Sequence, residues 1–257
     1  SDSDLLEFCI LANDSYRSGS PIVTDENYDF IFIPELQKRM PKHPFLQKVE
    51  SESEGFSDEK IKLPEKMLST DKAYTWGEIK KWLERISKFS EEINVQLSEI
   101  QIKGTAKLDG FAGYDDGKKL YTRGDGNKGS DISRVFQRGL GILNDSERGQ
   151  GPGEIVVKRS YFEDHLSNDF EYPRNFQASL IKEKELDKFA RDAIDAKAAL
   201  FVPFKQLPFW KGNIDEFKNQ FLDIVIKLEG GVDFDIDGVV FEIVNPELKE
   251  FMGSNRK

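Results

Sequence analysis

A chain of 257 residues with 38% apolar and 33% charged residues is long enough for one large core, or a core plus a small module, and too apolar to stay disordered. Its formal net charge of -10 argues against a broad phosphate-gripping surface, so any nucleic-acid contact needs a local basic patch or another chain. The single cysteine, Cys9, excludes an internal disulfide and a multi-cysteine zinc site, and fits a reducing cytoplasm.

Residues 1–50 read as a helical module. "DLLEFCILANDSY" places apolar residues at helical intervals and "GSP" breaks it. "TDENYDFIF" restarts a helix with Thr24 as N-cap and acids in the first turn, and Pro34 is expected to end or kink that helix near Ile33. The acidic, serine-rich stretch "ESESEGFSDEK" makes 51–61 a linker or long loop. A larger domain follows over 62–257. "TWGEIKKWLERISKF" carries a capping box, Thr75 with Glu78, and apolar residues at 76, 79, 82, 83 and 86, so it predicts an amphipathic helix. From Glu99 the period changes to two. "EIQIKGTAKL" and "KKLYTRG" flank "DDG" and predict a hairpin. "GEIVVK", "AALFVPF" and "DFDIDGVVFEIV" read as further strands, with helices near 161–167, 183–198 and 214–227 between them. The fold class expected is α+β, with antiparallel sheets flanked by helices. No stretch approaches the roughly 18 apolar residues of a membrane helix, and the start lacks the basic region of a secretory signal, so a cytoplasmic protein without membrane contact is expected. His43 and His165 lie in no metal-ligand spacing and are expected to be structural or surface groups; Cys9 is expected in the core.

The chemistry concentrates in "TAKLDGFAGYDDGKKLYTRGDGNKG", residues 105–129. Lys107 stands on a strand with Asp109 at the next same-face position, and glycines nearby let a ligand approach closely. A lysine with an ordinary pKa of about 10.4 is a poor nucleophile. Neighbouring positive charge or burial activates it, and a carboxylate orients it or takes its proton. From "KLDG" alone two readings stand, a nucleophile and a strand pair on a solvated face.

"KLDG", then "TRGDG", "GEIVV", "YPRN" and "DIDGVV" in that order, resembles the NAD-dependent DNA ligases, in their adenylation (nucleotidyltransferase) domain and the small N-terminal domain before it. The resemblance covers about residues 10–256. It implies that Lys107 attacks the α-phosphorus of NAD, giving lysyl-AMP and releasing nicotinamide mononucleotide, with AMP later passed to a 5′-phosphate end. It further implies that Asp109 orients the lysine, Arg123 contacts the nucleotide, and Glu154 holds the ribose. Phe204 takes the place of an aromatic stacked on adenine, worth about 1–3 kcal/mol by analogy with base stacking. Arg174 is implied to be a phosphate-side arginine, and Asp237 the acid near the lysine and the divalent ion, Mg²⁺. "MLSTDKAY" resembles the stretch whose backbone lines the adenine, with Ser69 in register. "YRSGSPIVTDENYD" resembles the clamp for the nicotinamide mononucleotide half, with Tyr16, Asp25, Tyr28 and Asp29 in place. ATP-dependent ligases do not carry this module, so it points to NAD.

Three positions depart from the family pattern. Thr105 stands where a glutamate reads the adenine amino group, Ile181 where an arginine follows "SL", and Glu242 where a lysine contacts the α-phosphate. The oligonucleotide-binding, zinc-finger, helix-hairpin-helix and BRCT parts of the family lie outside this sequence. Nicked DNA or other polynucleotide 5′-phosphate ends are therefore the expected partners, held by other domains or by a second subunit with the oligonucleotide-binding region. An RNA ligase-like enzyme and a degenerate nucleotide-binding module are the competing expectations.

Overall fold

The computed structural model describes residues 1–17, 21–24, 27–47, 60–67, 70–182 and 185–252. The fold is α+β, as the element pattern predicts. The helices are α1 (Asp2–Arg17), α2 (Ile33–Arg39), α3 (Trp76–Glu92), α4 (Arg134–Gln137), α5 (Arg159–His165), α6 (Pro173–Lys182), α7 (Lys188–Asp195), α8 (Ile214–Glu229) and α9 (Pro246–Met252). The strands are β1 (Ile61–Lys62), β2 (Gln101–Leu108), β3 (Phe111–Asp115), β4 (Leu120–Thr122), β5 (Lys128–Gly129), β6 (Gly141–Ile142), β7 (Gly151–Val157), β8 (Ala199–Pro203), β9 (Phe209–Asn213) and β10 (Ile236–Ile243). Among the described residues no helix is long and apolar enough to cross a membrane.

The chain forms two compact units: Ser1–Met67 with Leu108–Gln206, and Leu68–Lys107 with Leu207–Lys257. The first is built on a five-stranded sheet in the order β4-β3-β7-β8-β6, with only β6 and β8 parallel. One face of that sheet meets α6 and α7 in a core that includes Phe111, Ile155, Phe176, Leu180 and Phe201. The N-terminal helices belong to this unit. Cys9 is fully buried, its thiol pushed up by burial, and its carbonyl accepts from the Tyr28 hydroxyl at 3.1 Å. His165 is exposed, its ring 4.5 Å from that of Tyr161.

Pro34 does not end its helix. Tyr28–Phe32 form a wide turn in which the Ile33 N–H reaches the Tyr28 carbonyl five residues back, and α2 then runs on with Pro34 in its first turn. First-turn N–H groups have no intrahelical acceptor, so proline loses nothing there.

The predicted hairpin is also differently made. Its arms are β3 and β4, with Tyr114 opposite Tyr121, and Asp116 closes the turn by accepting from the Lys118 and Lys119 N–H groups at 2.8 and 2.6 Å. The stretch "QIKGTAKL" is instead β2, the centre of a separate sheet. The strand breaks at Asp109–Gly110, where a Cβ on Gly110 would lie 2.3 Å from the Ile155 carbonyl oxygen. Only glycine permits that approach.

The second unit is a three-stranded sheet, β10-β2-β9, with a core of Leu83, Ile86, Ile102, Phe217, Leu228 and Ile243 supplied by the strands, α3 and α8. The capping box predicted for α3 is present: Thr75 Oγ1 accepts from the Glu78 N–H at 3.3 Å, and the Glu78 carboxylate accepts from the Tyr74 and Thr75 N–H groups at 2.8 and 3.0 Å. The Tyr74 N–H bond leads the interactions that hold the Glu78 carboxyl below its ordinary value. Thr75→Ala is expected to lower the stability of this unit by about 1 kcal/mol, read as a shifted denaturation midpoint. The Glu78 contribution is present at neutral pH and lost as pH falls through its depressed pKa, because that carboxyl is ionised more readily folded than unfolded.

Candidate active site

The candidate residues form a group in each unit. In the second, β2 alternates strictly: Ile102, Gly104, Ala106 and Leu108 are buried, while Lys103, Thr105 and Lys107 line the other face. The Lys107 ammonium donates to the Asp237 carboxylate in a close ion pair. On the same face Glu242 accepts from Lys249 at 2.5 Å and lies 3.8 Å from the Lys103 nitrogen. Asp237 and Glu242 are five residues apart on β10, and a regular strand would point them to opposite faces. The alternation is broken at Gly238, whose φ of +145° is readily adopted only by glycine. Gly238, which directly follows Asp237 in "DIDGVV", is thus what aims Asp237 at the lysine.

In the first unit Asp109 accepts from the Tyr16 hydroxyl at 2.8 Å and from Arg174 Nη1 at 3.0 Å. Arg174 is almost wholly buried. Its Nε donates to the Tyr16 carbonyl at 3.0 Å and its Nη1 to the Gly110 carbonyl at 2.6 Å, and its guanidinium lies 4.1 and 4.6 Å from the Tyr16 and Phe111 ring centres. A planar five-donor fork is the side chain that can meet three oxygens and two rings together. Sequence reasoning placed Tyr16, Asp109 and Arg174 on three separate motifs and did not anticipate their contact. It also missed α6, which delivers Arg174; Pro173 in the first helical turn followed by apolar 176, 180 and 181 was the available signal.

Glu154, Arg123 and Phe204 gather around Ala112 on the other face of the five-stranded sheet. Glu154 is buried directly opposite Ala112. The Arg123 N–H donates to the Ala112 carbonyl at 2.9 Å, and Phe204 follows β8 and, like Ala112 and Tyr114, packs against the buried cluster of Leu63, Met67 and Tyr121. Tyr28 spends its hydroxyl on the Cys9 carbonyl, and Asp29 sits half-buried in the wide turn. Asp25 and Ser69 lie outside the described residues. Of the three departures, Thr105 shares the Lys107 face, Glu242 pairs with lysines, and Ile181 is a fully buried core residue whose carbonyl accepts from Arg134. Among the described residues no group of three or more His, Cys, Asp or Glu side chains stands ready to hold a metal.

Two comparisons bear on this arrangement. The model of the NAD-dependent DNA ligase adenylation domain matches residues 56–197. The whole chain aligns with the DNA ligase of Ruthia magnifica subsp. Calyptogena magnifica at 57% identity over 257 residues, covering 42% of that protein. It aligns with the DNA ligase of Desulfotalea psychrophila at 50% over 256 residues, covering 38%, and 94% of it aligns with that of Mycoplasmopsis agalactiae at 26%, covering 41%. The chain therefore spans well under half the length of these curated relatives.

Proposed function

The chain belongs to the NAD-dependent DNA ligase adenylation-domain family, and from that premise we propose that it is the self-adenylating part of a polynucleotide ligase with NAD as AMP donor. Residues 1–50 act as the module for the nicotinamide mononucleotide half, through Tyr16, Asp25, Tyr28 and Asp29, and 62–257 act as the adenylation domain. The observation that carries this reading is the Lys107–Asp237 ion pair on the open face of β2.

In this reading Lys107 gives up a proton to Asp237 and attacks the adenylyl phosphorus as the neutral amine. A P–N bond forms, the bridging P–O bond of the pyrophosphate breaks, and nicotinamide mononucleotide leaves with the bridging oxygen. Asp109, fixed by Tyr16 and Arg174, orients the "KLDG" turn that carries the lysine. Glu154 holds the ribose, Phe204 stacks on the adenine, Ser69 lies beside it, and Arg123 contacts the nucleotide. Mg²⁺ would accompany the dinucleotide phosphates near Asp237 and would supply positive charge there. The AMP then passes to a 5′-phosphate end, of DNA by family, held by regions outside this sequence or by a second subunit. Incubation with NAD or with ATP, each with Mg²⁺, followed by intact-mass measurement tests the reading. An AMP adduct with NAD alone supports it, and no adduct with either sinks it.

Glu242 sets the rate in this scheme. Phosphoryl transfer draws on positive charge around the transferring phosphorus, and Glu242 offsets the charge of Lys103 and Lys249. A lysine at 242 would crowd a third ammonium beside those two, so the informative change is neutral. Glu242→Gln is expected to speed single-turnover lysyl-AMP formation about three- to tenfold, a modest gain because the site is open to solvent. It should alter stability by less than about 1 kcal/mol, since all three side chains are partly exposed. A slower variant would show that Glu242 assists the reaction.

A further inference from the structure

The open face of β10-β2-β9 carries groups that the adenylation step does not use. Cross-strand register places Phe209 directly opposite Thr105 and Lys211 directly opposite Lys103, so all four side chains stand on the Lys107 face, with Cβ atoms of opposed pairs about 4.5–5.5 Å apart. Phe209 is 58% exposed, and Lys103 sits over its ring at 5.4 Å. Two lysines directly opposite each other destabilise a sheet. Glu242, 3.8 Å from Lys103, offsets one of them, while Lys211 is exposed. An anion lying between the strands relieves that repulsion. On a chain of net charge -10 this face concentrates Lys103, Lys107, Lys211 and Lys249 against Asp237 and Glu242.

The geometry points to a strand-binding platform: a polynucleotide strand crosses β2 and β9 with one base stacked on Phe209 and its backbone phosphate between Lys103 and Lys211. An exposed ring interleaved with lysines on a flat sheet is the surface that single strands use, since every base offers a π-face and every phosphate a charge. The platform adjoins Lys107, because Phe209 is diagonal to it across the sheet, within reach of an aromatic side chain. The inference rests on the proposed polynucleotide substrate, and it supplies the local basic patch that the overall charge requires.

The test is fluorescence anisotropy of a labelled 5′-phosphorylated oligonucleotide with the intact chain, across a salt series. Phe209→Ala is expected to raise Kd about fivefold or more, the lower end of what loss of one stacking ring costs, and Phe209→Trp to restore binding. Lys211→Gln should weaken binding and reduce the slope of log K against log salt by about 0.7, the value for one phosphate contact on a single strand. The NAD-dependent AMP adduct, measured by mass on the same samples, reports the self-adenylation reading separately, so binding without an adduct sinks that reading and leaves the platform standing. An oligonucleotide Kd unmoved by either change overturns the platform. So does loss of the adduct together with oligonucleotide affinity in Phe209→Ala, which assigns the ring to the dinucleotide.

Discussion

Lys107→Ala abolishes the AMP adduct while leaving the fold intact; that is the largest effect expected of any single change in this chain. The lysine stands on the open face of β2, partly exposed, and its neighbours on that strand alternate into the core without it. Alanine loses only an exposed ion pair worth about 0–1 kcal/mol, so the circular dichroism spectrum and denaturation midpoint should scarcely move. The chemical loss is total because the Lys107 amine is the attacking atom in this scheme. Lys103 is four residues away on the same face, about 13 Å along an extended strand, and engaged by Glu242 and Phe209. An adduct that persists in the variant, mapped to Lys103 or elsewhere by peptide mass, would refute the assignment.

Arg174→Ala should produce the largest loss of stability. The change removes hydrogen bonds to the Tyr16 and Gly110 carbonyls, the ion pair to Asp109, and stacking on two rings at once. Deleting one partner of a fully buried ion pair typically costs about 3–5 kcal/mol. The Asp109 side chain keeps 22% exposure, so water recovers part of that, and a loss of about 2–4 kcal/mol is expected in urea unfolding. Arg174→Lys should recover less than half, because an ammonium cannot span the three acceptors or stack between rings. Tyr16→Phe, which removes one hydrogen bond to Asp109, should cost only about 0.5–1.5 kcal/mol. A loss below about 1 kcal/mol for Arg174→Ala would mean that the arginine does not tie α1 to the sheet. If adenylation falls further in Arg174→Ala than the unfolded fraction explains, positioning of Asp109 contributes to catalysis as well.

What the sequence by itself determined is local. The capping box of α3 follows from Thr75 and Glu78 three residues apart, and both bonds form between groups already close in the chain. The turn at Asp116–Gly117 and the buried run "EIVV" are likewise set within a few residues. The motifs from Lys107 to Asp237 were legible as an ordered series, and the family they resemble is the one whose model matches. What only the tertiary structure decided is pairing at a distance. "QIKGTAKL" is equally good as a hairpin arm or as a central strand, and the cluster of buried Ile102 and Leu228 with half-buried Phe241, drawn from distant parts of the chain, settles the choice. Phe209 and Lys211 carry no motif; their significance comes from register with Thr105 and Lys103 across more than a hundred residues. Tyr16 meets Asp109 across a sequence separation of 93, and no local pattern encodes that contact. Capping and turn formation involve few residues and little loop closure, so short windows reveal them. Sheet register and buried ion pairs are selected by which arrangement covers the most apolar surface while satisfying every buried polar group, and that comparison exists only for the whole chain.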